Sequence, residues 1–326
     1  MFEEEELFVE GERIFILNKG NTILSAFNEN IYLYEKQLDK STYELIQKFI
    51  CNSKWAIIYL TMLSDERIIA SGRKFINIFK KDNNSNYILD QDLFLDWAEI
   101  TKIKELKNKK DNFAVSGWYG LGIFERQNDK YVKTFELECH RNGFEERWII
   151  DFMEIEGKER GFVLCGERHI FIIQDKNLLN KFSFEESDRK SFLYSTGTIC
   201  QFRHDLFLVS GERYITLINT SDNQFKKIDH SKKELTEKEK KVFNYDISAI
   251  YKYDTNSIIV ITRNGLLIFQ IFDIEKIQLN IRINFGRNYF WSLIDFIEDE
   301  RAIYLKKRGF DKTTFRIKLN EKLNRK

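Results

Sequence analysis

A twelve-residue pattern recurs along this chain and limits the folds open to it. An apolar segment ends in a small residue and Gly, a short polar turn follows, and a second alternating apolar segment comes next. The clearest copy is FLVSGERYITLI at residues 207–218; others cover residues 23–34, 68–79, 113–124, 162–173 and 258–269. The repeat period is 45 to 51 residues from Gly72 through Gly117, Gly166 and Gly211 to Thr262. A period of this length is typical of a propeller or a solenoid array.

The content of each repeat unit favours the propeller, because every unit reads as four short strands rather than two helices. The sequence predicts an all-β, seven-bladed β-propeller of four-stranded antiparallel blades, forming one domain over residues 1–326. The predicted blades cover residues 11–50, 55–95, 97–137, 147–184, 195–228, 246–284 and 289–319. The last blade lacks a fourth strand, and we expect residues 6–9 to supply it. That pairing would close the ring and remove two open sheet edges.

The repeat resembles that of a divergent WD-repeat propeller. Residues 57–72, IIYLTMLSDERIIASG, are similar in length and character to the first half of that family's repeat, and residues 247–262 have the same length. The family's terminal Trp-Asp and its Gly-His dipeptide are absent, so its buried polar tetrad is not expected here. The Trp place holds Tyr34, Phe79, Phe124, Ile173, Ile218 and Phe269. In such relatives one face of the ring is the usual partner site, and the resemblance implies a binding role.

Composition limits the cellular compartments and the classes of partner that we expect for this protein. The 326 residues carry 52 Lys and Arg against 51 Asp and Glu, which argues against a nucleic-acid footprint over the whole surface. Four glutamates follow Met1-Phe2 in place of a signal peptide, and no apolar run reaches the ~20 residues of a membrane span. The four cysteines form no CxxC pair. We therefore expect a soluble protein in the cytoplasm or another intracellular compartment, with reduced thiols.

No motif in the sequence predicts catalysis, a metal or a cofactor. There is no G-x-S-x-G elbow, and Ser71, Ser116 and Ser210 are interpreted as small residues that precede hairpin turns. The candidate ligands for a zinc ion are Cys139, His140, Cys165 and His169. The two pairs lie about 25 residues apart, without the close Cys and His spacings of structural zinc sites. The chain is accordingly predicted not to be an enzyme.

Aromatic residues form the predicted partner-binding set. They stand at or just before the first strand of their units, so equivalent positions should gather on one face of a propeller. The set comprises Trp55, Trp97, Trp148, Trp291, Tyr194 and Tyr245. Trp and Tyr are enriched at binding hot spots because they bury a large area at low entropic cost. The alternative interpretation is that each Trp fills the gap between adjacent blades.

Basic segments support a second functional hypothesis. Lys306, Lys307, Arg308 and Lys312 begin a cationic C-terminal stretch, and a group of lysines between residues 102 and 110 forms another. Such runs are usually solvated faces, but they also suit RNA, DNA or an acidic partner. The predicted function is a non-catalytic scaffold or recognition subunit that binds other proteins of an intracellular complex. The alternative is a nucleic-acid-associated subunit that uses these patches.

Overall fold

The computed structural model describes most of the chain. The described residues are 2–9, 13–17, 21–37, 42–52, 57–96, 99–146, 148–183, 199–210, 215–228, 247–262, 265–273, 276–284, 291–297, 302–307 and 313–319. Only the backbone is described for residues 2–8, 13, 226–228, 248, 265 and those beyond 271. Every regular element in the described ranges is a β-strand, which confirms the predicted all-β class. No helical segment in these ranges has the length and apolar character needed to cross a bilayer.

The strands follow one another in a regular series. In chain order they are β1 Phe2–Phe8, β2 Arg13–Leu17, β3 Thr22–Phe27, β4 Asn30–Lys36, β5 Tyr43–Ile50, β6 Tyr59–Met62, β7 Ile68–Ser71, β8 Phe75–Lys81, β9 Tyr87–Phe94, β10 Ile100–Glu105, β11 Phe113–Gly117, β12 Gly120–Gln127, β13 Lys130–Glu138 and β14 Ile149–Glu154. The series continues with β15 Gly161–Gly166, β16 His169–Gln174, β17 Asn177–Ser183, β18 Ile199–Arg203, β19 Leu206–Ser210, β20 Ile215–Asn219, β21 Gln224–Ile228, β22 Ile247–Lys252, β23 Ser257–Thr262, β24 Gly265–Asp273, β25 Lys276–Asn284, β26 Trp291–Ile297, β27 Ala302–Lys307 and β28 Thr313–Leu319.

Consecutive strands form four-stranded sheets in two compact units. The first unit, residues 3–149 and 309–317, holds the sheets β2–β5, β6–β9 and β10–β13. The second unit comprises residues 1–2, 150–308 and 318–326. It holds the sheets β14–β17, β18–β21 and β22–β25, apart from Ile149, the first residue of β14. In the first unit the N-terminal strand β1 neighbours β28, and in the second unit β26 pairs with β27. We predicted only a short strand at residues 6–9, but β1 begins at Phe2. Its glutamates concealed it in the sequence, because Glu is depleted in strands.

Each copy of the twelve-residue pattern is the central hairpin of a sheet. The first and twelfth residues of the pattern are directly opposite in all six copies. These pairs are Ile23–Tyr34, Ile68–Phe79, Phe113–Phe124, Phe162–Ile173, Phe207–Ile218 and Ile258–Phe269. All twelve residues are buried, and the Phe113 and Phe124 rings stack with centroids 5.0 Å apart. The repeat therefore specifies the register of the two middle strands through its apolar ends.

The apolar cores lie between neighbouring sheets of a unit. In the first unit one buried cluster joins β2–β5 to β6–β9, through residues such as Phe49 and Phe79, and another joins β6–β9 to β10–β13. In the second unit buried clusters join β14–β17 to β18–β21 and β18–β21 to β22–β25. The sheets β6–β9 and β18–β21 each pack on a neighbour through both faces, so their inner strands β7 and β19 are buried along their whole length.

A bulge in the outer strand recurs at one register position and directs an amide side chain to the next sheet. The bulge lies in β5, β9, β13, β17 and β25. Directly after the bulge, the Gln47 side chain bonds both the carbonyl and the amide of Tyr87, at 2.9 and 2.8 Å. Gln91 bonds the backbone of Tyr131 in the same way, and Asn180 donates to the carbonyl of Asn223. These bonds fasten the outer edges of adjacent sheets.

Candidate functional site

The structure places only part of the predicted partner-binding set. Trp148 is half-buried directly before β14. Trp291 begins β26 and Lys306 and Lys307 end β27, where the backbone alone is described. The remaining predicted positions lie outside the described residues; they are Trp55, Trp97, Tyr194, Tyr245, Arg308 and Lys312. Trp148 therefore defines the part of the predicted site that can be built up from side chains.

The hairpin between β11 and β12 presents two aromatic residues next to Trp148. Gly117 and Gly120 are paired across it, with Trp118 and Tyr119 between them as the turn. A Cβ at Gly117 would lie 2.2 Å from the Glu99 carbonyl oxygen, and one at Gly120 would lie 1.7 Å from that of Leu137. These approaches exclude larger residues, so the two glycines hold the turn tightly within its sheet.

Hydrogen bonds from both sides fix the turn. The Trp118 amide donates to the Glu99 carbonyl at 2.9 Å, and the Cys139 amide donates to the Tyr119 carbonyl at 2.7 Å. Tyr119 has a φ of 89°, and no other aromatic residue in the described ranges has a positive φ. A bulky residue in this region costs about 1–3 kcal/mol and persists only where its surroundings enforce it. Such strain is concentrated at functional sites, which makes this turn a candidate.

Four rings are in contact around the turn at tilted angles, and we call Trp118, Tyr119, His140 and Trp148 the aromatic cluster. The Trp118 and Trp148 centroids are 4.5 Å apart, and the two residues also form an antiparallel backbone bridge. Tyr119 lies 5.7 Å from Trp118 and 5.0 Å from His140. The Trp118 indole Nε1 is buried and has no acceptor among the described residues. A donor left without a partner in this way is destabilising, and such groups in native proteins often mark functional sites.

Further apolar side chains are exposed at the same turn ends of the neighbouring sheets in the first unit. Phe94, the last residue of β9, is 72% exposed, and Ile50, the last residue of β5, is 62% exposed. Phe27 is also exposed, at the turn between β3 and β4. In both sheets the backbone amide that follows the outer strand donates to a carbonyl in the turn between the two middle strands. Cys51 donates to the Glu29 carbonyl at 2.8 Å, and Leu95 donates to that of Lys74 at 2.9 Å. We call Phe27, Ile50, Phe94 and the aromatic cluster the turn-end surface.

Charged groups beside the turn-end surface are paired with each other. Arg73 donates from Nε to Glu99 Oε1 at 2.8 Å and thereby links the β7–β8 turn to the start of β10. Arg141 donates to Glu138 Oε1 at 2.9 Å, and His140 Nε2 lies 3.9 Å from Glu138 Oε2. This arrangement leaves an apolar and aromatic surface with locally balanced charge, which suits contact with another apolar surface.

The other candidate chemistries find little geometric support in the described part of the chain. Ser71, Ser116 and Ser210 are fully buried. No three His, Cys, Asp or Glu side chains in the described ranges are grouped so that they could hold a metal ion. Within the second lysine group, Lys109 is paired with Glu125 at 2.9 Å and Lys102 lies over the Tyr59 ring. All four cysteines are buried and form no disulfide.

The predicted partner-binding set includes Trp148 but no other residue of the turn-end surface. Trp118 and Tyr119 had a signal in the sequence, because two aromatic residues stand where other copies carry Glu-Arg or Arg-Lys. Phe94 and Ile50 gave no signal, because an apolar residue at a strand end is usually buried.

Comparison with known proteins defines the class. No protein-family model and no curated protein matches the sequence. Among solved structures, a chain of the Mitotic Checkpoint Complex aligns over 98% of this chain and 94% of its own length, with a TM-score of 0.67 and 9% identity. The Pan2 WD40 domain of Neurospora crassa aligns over 94% and 88%, with a TM-score of 0.63 and 7% identity. Virginiamycin B lyase of Staphylococcus aureus aligns over 98% and 100%, with a TM-score of 0.66 and 13% identity.

These likenesses show the fold. The chain has an all-β fold of the β-propeller type, built from four-stranded antiparallel sheets, and its similar structures include WD40 propellers. The predicted resemblance to WD-repeat propellers is thus confirmed at the level of the fold. The similar structures also include an enzyme, so the fold alone does not separate a binding protein from a catalyst.

Proposed function

We propose that this protein is a non-catalytic recognition subunit of an intracellular complex, and that it binds another protein through the turn-end surface. The observation that carries the proposal is the exposure of Phe94 and Ile50, at 72% and 62%, beside the aromatic cluster with its strained Tyr119. Exposed aromatic residues grouped in this way are typical of interaction sites. The predicted positions Trp55, Trp97, Trp291, Tyr194 and Tyr245 extend the same proposal to the other sheets.

The architecture proposed is a seven-bladed ring closed by β1. The placement of β1 beside β28 supports it, because an N-terminal strand next to the last strand supplies the fourth strand that the last blade lacks. The similarity to a chain of the Mitotic Checkpoint Complex supports a role within an assembly. The four cysteines form no disulfide, which agrees with a reducing compartment.

The charges favour a protein partner over a nucleic acid at this surface. Arg73 and Arg141 are both bonded to glutamates, so they add little attraction for phosphate groups. Glu29 and Lys74 are also exposed in the neighbouring turns and have opposite charges, and the named members of the turn-end surface are apolar or aromatic. A protein that presents apolar side chains fits such a surface, and burial of Phe94 alone would contribute about 1.5–3 kcal/mol.

Affinity capture from native lysate with three variants tests the proposal. Phe94→Asp and Ile50→Asp place a charge on the turn-end surface, and Leu178→Asp places one at a 41% exposed position on an outer strand of the second unit. We expect the wild type and Leu178→Asp to retain the same proteins, and Phe94→Asp and Ile50→Asp to lose one or more of them. Identical sets from all four proteins, or no retained protein, would contradict the proposal.

A further inference from the structure

An asparagine in the turn between β13 and β14 is followed directly by a glycine. Asn142 and Gly143 are both exposed, and they come just after His140 of the aromatic cluster. Asparagine is a chemically labile residue, and it is most labile before glycine, which has no side chain to shield its backbone nitrogen from the carboxamide. The structure decides whether this nitrogen is available in the folded protein.

The hydrogen bonds of the turn leave the Gly143 nitrogen available. The Asn142 amide donates to the Glu138 carbonyl at 3.0 Å, and the Phe144 amide donates to the Cys139 carbonyl at 2.9 Å. Within the described ranges, neither the Gly143 amide nor the Asn142 side chain forms a hydrogen bond with another residue. Both groups that would have to react are therefore free to do so.

The conformation of Gly143 explains why a glycine stands at this position. Its φ is 76°, in the left-handed region that commonly ends a helical turn and that glycine adopts at the lowest cost. In the described part of the chain, no atom outside its two neighbours lies within 4 Å of the place where its Cβ would be. The turn thus favours the residue type that makes Asn142 reactive, and it leaves the surrounding space open.

The turn between β8 and β9 gives a contrast within the same sequence. Asn84 and Ser85 are likewise exposed. The Ser85 amide donates to the Asp82 carbonyl at 3.0 Å, and Asp82 Oδ1 accepts from the Asn84 amide at 2.8 Å. The nitrogen that would attack the Asn84 side chain is therefore already bonded, and the Ser85 side chain shields it further.

We infer that Asn142 is a site of spontaneous deamidation in the folded protein. The Gly143 nitrogen attacks Cγ of Asn142 and forms a new N–C bond, while the carboxamide nitrogen takes up the amide proton and leaves as ammonia. The product is a succinimide ring. Water then adds to this ring at one of its two carbonyl carbons and breaks the bond from that carbon to nitrogen. Addition at Cγ gives aspartate, and addition at the backbone carbonyl gives isoaspartate.

Either product changes the edge of the turn-end surface. A carboxylate replaces the neutral side chain of Asn142, next to Arg141, which already donates to Glu138 Oε1 at 2.9 Å. The charge in this turn therefore becomes more negative. Isoaspartate also inserts a methylene group into the backbone of the turn that carries His140. These consequences follow from the covalent chemistry and do not depend on the proposed function.

Peptide mapping by mass spectrometry, on the full chain incubated for several weeks in mildly alkaline buffer, tests this inference. We expect a progressive loss of the unmodified peptide that contains Asn142, with two products that separate on the column as aspartate and isoaspartate. The peptide that contains Asn84 should remain unmodified in the same sample. The control variant Asn142→Gln should give no product at this position, because glutamine would have to close a larger ring.

The other Asn-Gly pair, Asn264–Gly265, includes a residue outside the described ranges, and its peptide is scored separately. Incubation in urea completes the comparison, since unfolding breaks the bond from Ser85 to Asp82 and Asn84 should then begin to convert. No gain of product at residue 142 over the starting sample would overturn the inference, and so would conversion of Asn142 in urea alone.

Equal rates at Asn142 and Asn84 in the folded protein would overturn the assignment of the reactivity to the free Gly143 amide. None of these readouts involves capture of another protein. This inference and the proposed binding role of the turn-end surface therefore fail separately.

Discussion

The side-chain amide of Gln91 holds the backbone of Tyr131 by two hydrogen bonds, donating to its carbonyl at 2.8 Å and accepting from its amide at 2.7 Å. This contact joins the outer strand of one sheet to the next sheet, 40 residues further along the chain. The same relationship between Gln47 and Tyr87 shows that it is a device of the fold.

Removal of this clamp should destabilise the protein. Gln91→Ala leaves the Tyr131 amide and carbonyl without partners, and we expect a loss of about 1–3 kcal/mol in the free energy of unfolding. Gln91→Glu keeps an acceptor but loses the donor, so its free energy of unfolding should lie between those of Gln91→Ala and the wild type. Urea denaturation measures both, with the exposed Gln127→Ala as a control that changes stability by less than about 0.5 kcal/mol. A Gln91→Ala variant as stable as this control would contradict the role of the clamp.

The contact between the Trp118 and Trp148 rings should be measurable as a coupling energy. In a double-mutant cycle with Trp118→Ala and Trp148→Ala, we expect the two substitutions to be non-additive by about 0.5–1.5 kcal/mol, because each removes the ring that the other contacts. Denaturant unfolding of the four proteins gives this number. Additivity within error would show that the rings contribute independently.

Gly117 and Gly143 are required for different physical reasons. Gly117→Ala places a methyl group 2.2 Å from the Glu99 carbonyl oxygen, which the paired strands cannot relieve without moving. Gly143 has open space around it but a φ of 76°, so Gly143→Ala should cost only about 1–2 kcal/mol. We expect Gly117→Ala to lower the melting temperature clearly more than Gly143→Ala. The reverse order would show that the β11–β12 turn is looser than described.

Acid should weaken the ion-pair network around Asp129. Arg126 and Arg67 donate to its carboxylate, with Arg67 at 2.5 Å, and they hold the pKa of Asp129 well below its usual value. A carboxyl group with a lowered pKa in the folded state stabilises the protein fully above the unfolded pKa of about 3.9, and this stabilisation is lost as the pH falls towards the folded value.

The melting temperature of the wild type should therefore fall from about pH 5 to pH 3, and that of Asp129→Asn should fall less steeply, since it lacks the titrating group. Asp96→Asn, at an exposed position, serves as the control and should follow the wild type. If the melting temperatures of Asp129→Asn and the wild type fall in parallel with pH, Asp129 does not contribute to the loss of stability in acid.

The thiols should be protected in the folded protein. Burial raises the pKa of Cys51 to about 12, with a further contribution from Asp92, and burial together with Glu146 raises that of Cys139 to about 12. Since the thiolate is the reactive form, native protein at pH 8 should react very slowly with iodoacetamide, and denatured protein should release all four thiols. Rapid modification of Cys51 or Cys139 without denaturant would contradict this description.

The sequence alone determined the strands and their pairing within each hairpin. Phe113 and Phe124 are eleven positions apart, and the alternating apolar pattern between them leaves one register that buries both. Such local pairings depend on periodicity and turn residues, which are visible in a single sequence. The recurrence of the hairpin then predicted the propeller fold.

Only the tertiary structure decided which surfaces are available. Gln47 meets Tyr87 across 40 residues, and Thr101 donates to the Ile149 carbonyl across 48. Phe94 resembles many buried aromatic residues in the sequence, yet as the last residue of the outer strand β9 it is 72% exposed. The physical reason is that the sequence pattern indicates only the local preference of a residue for a strand and for burial. Packing between sheets decides which apolar side chains are buried and which stay exposed for a partner.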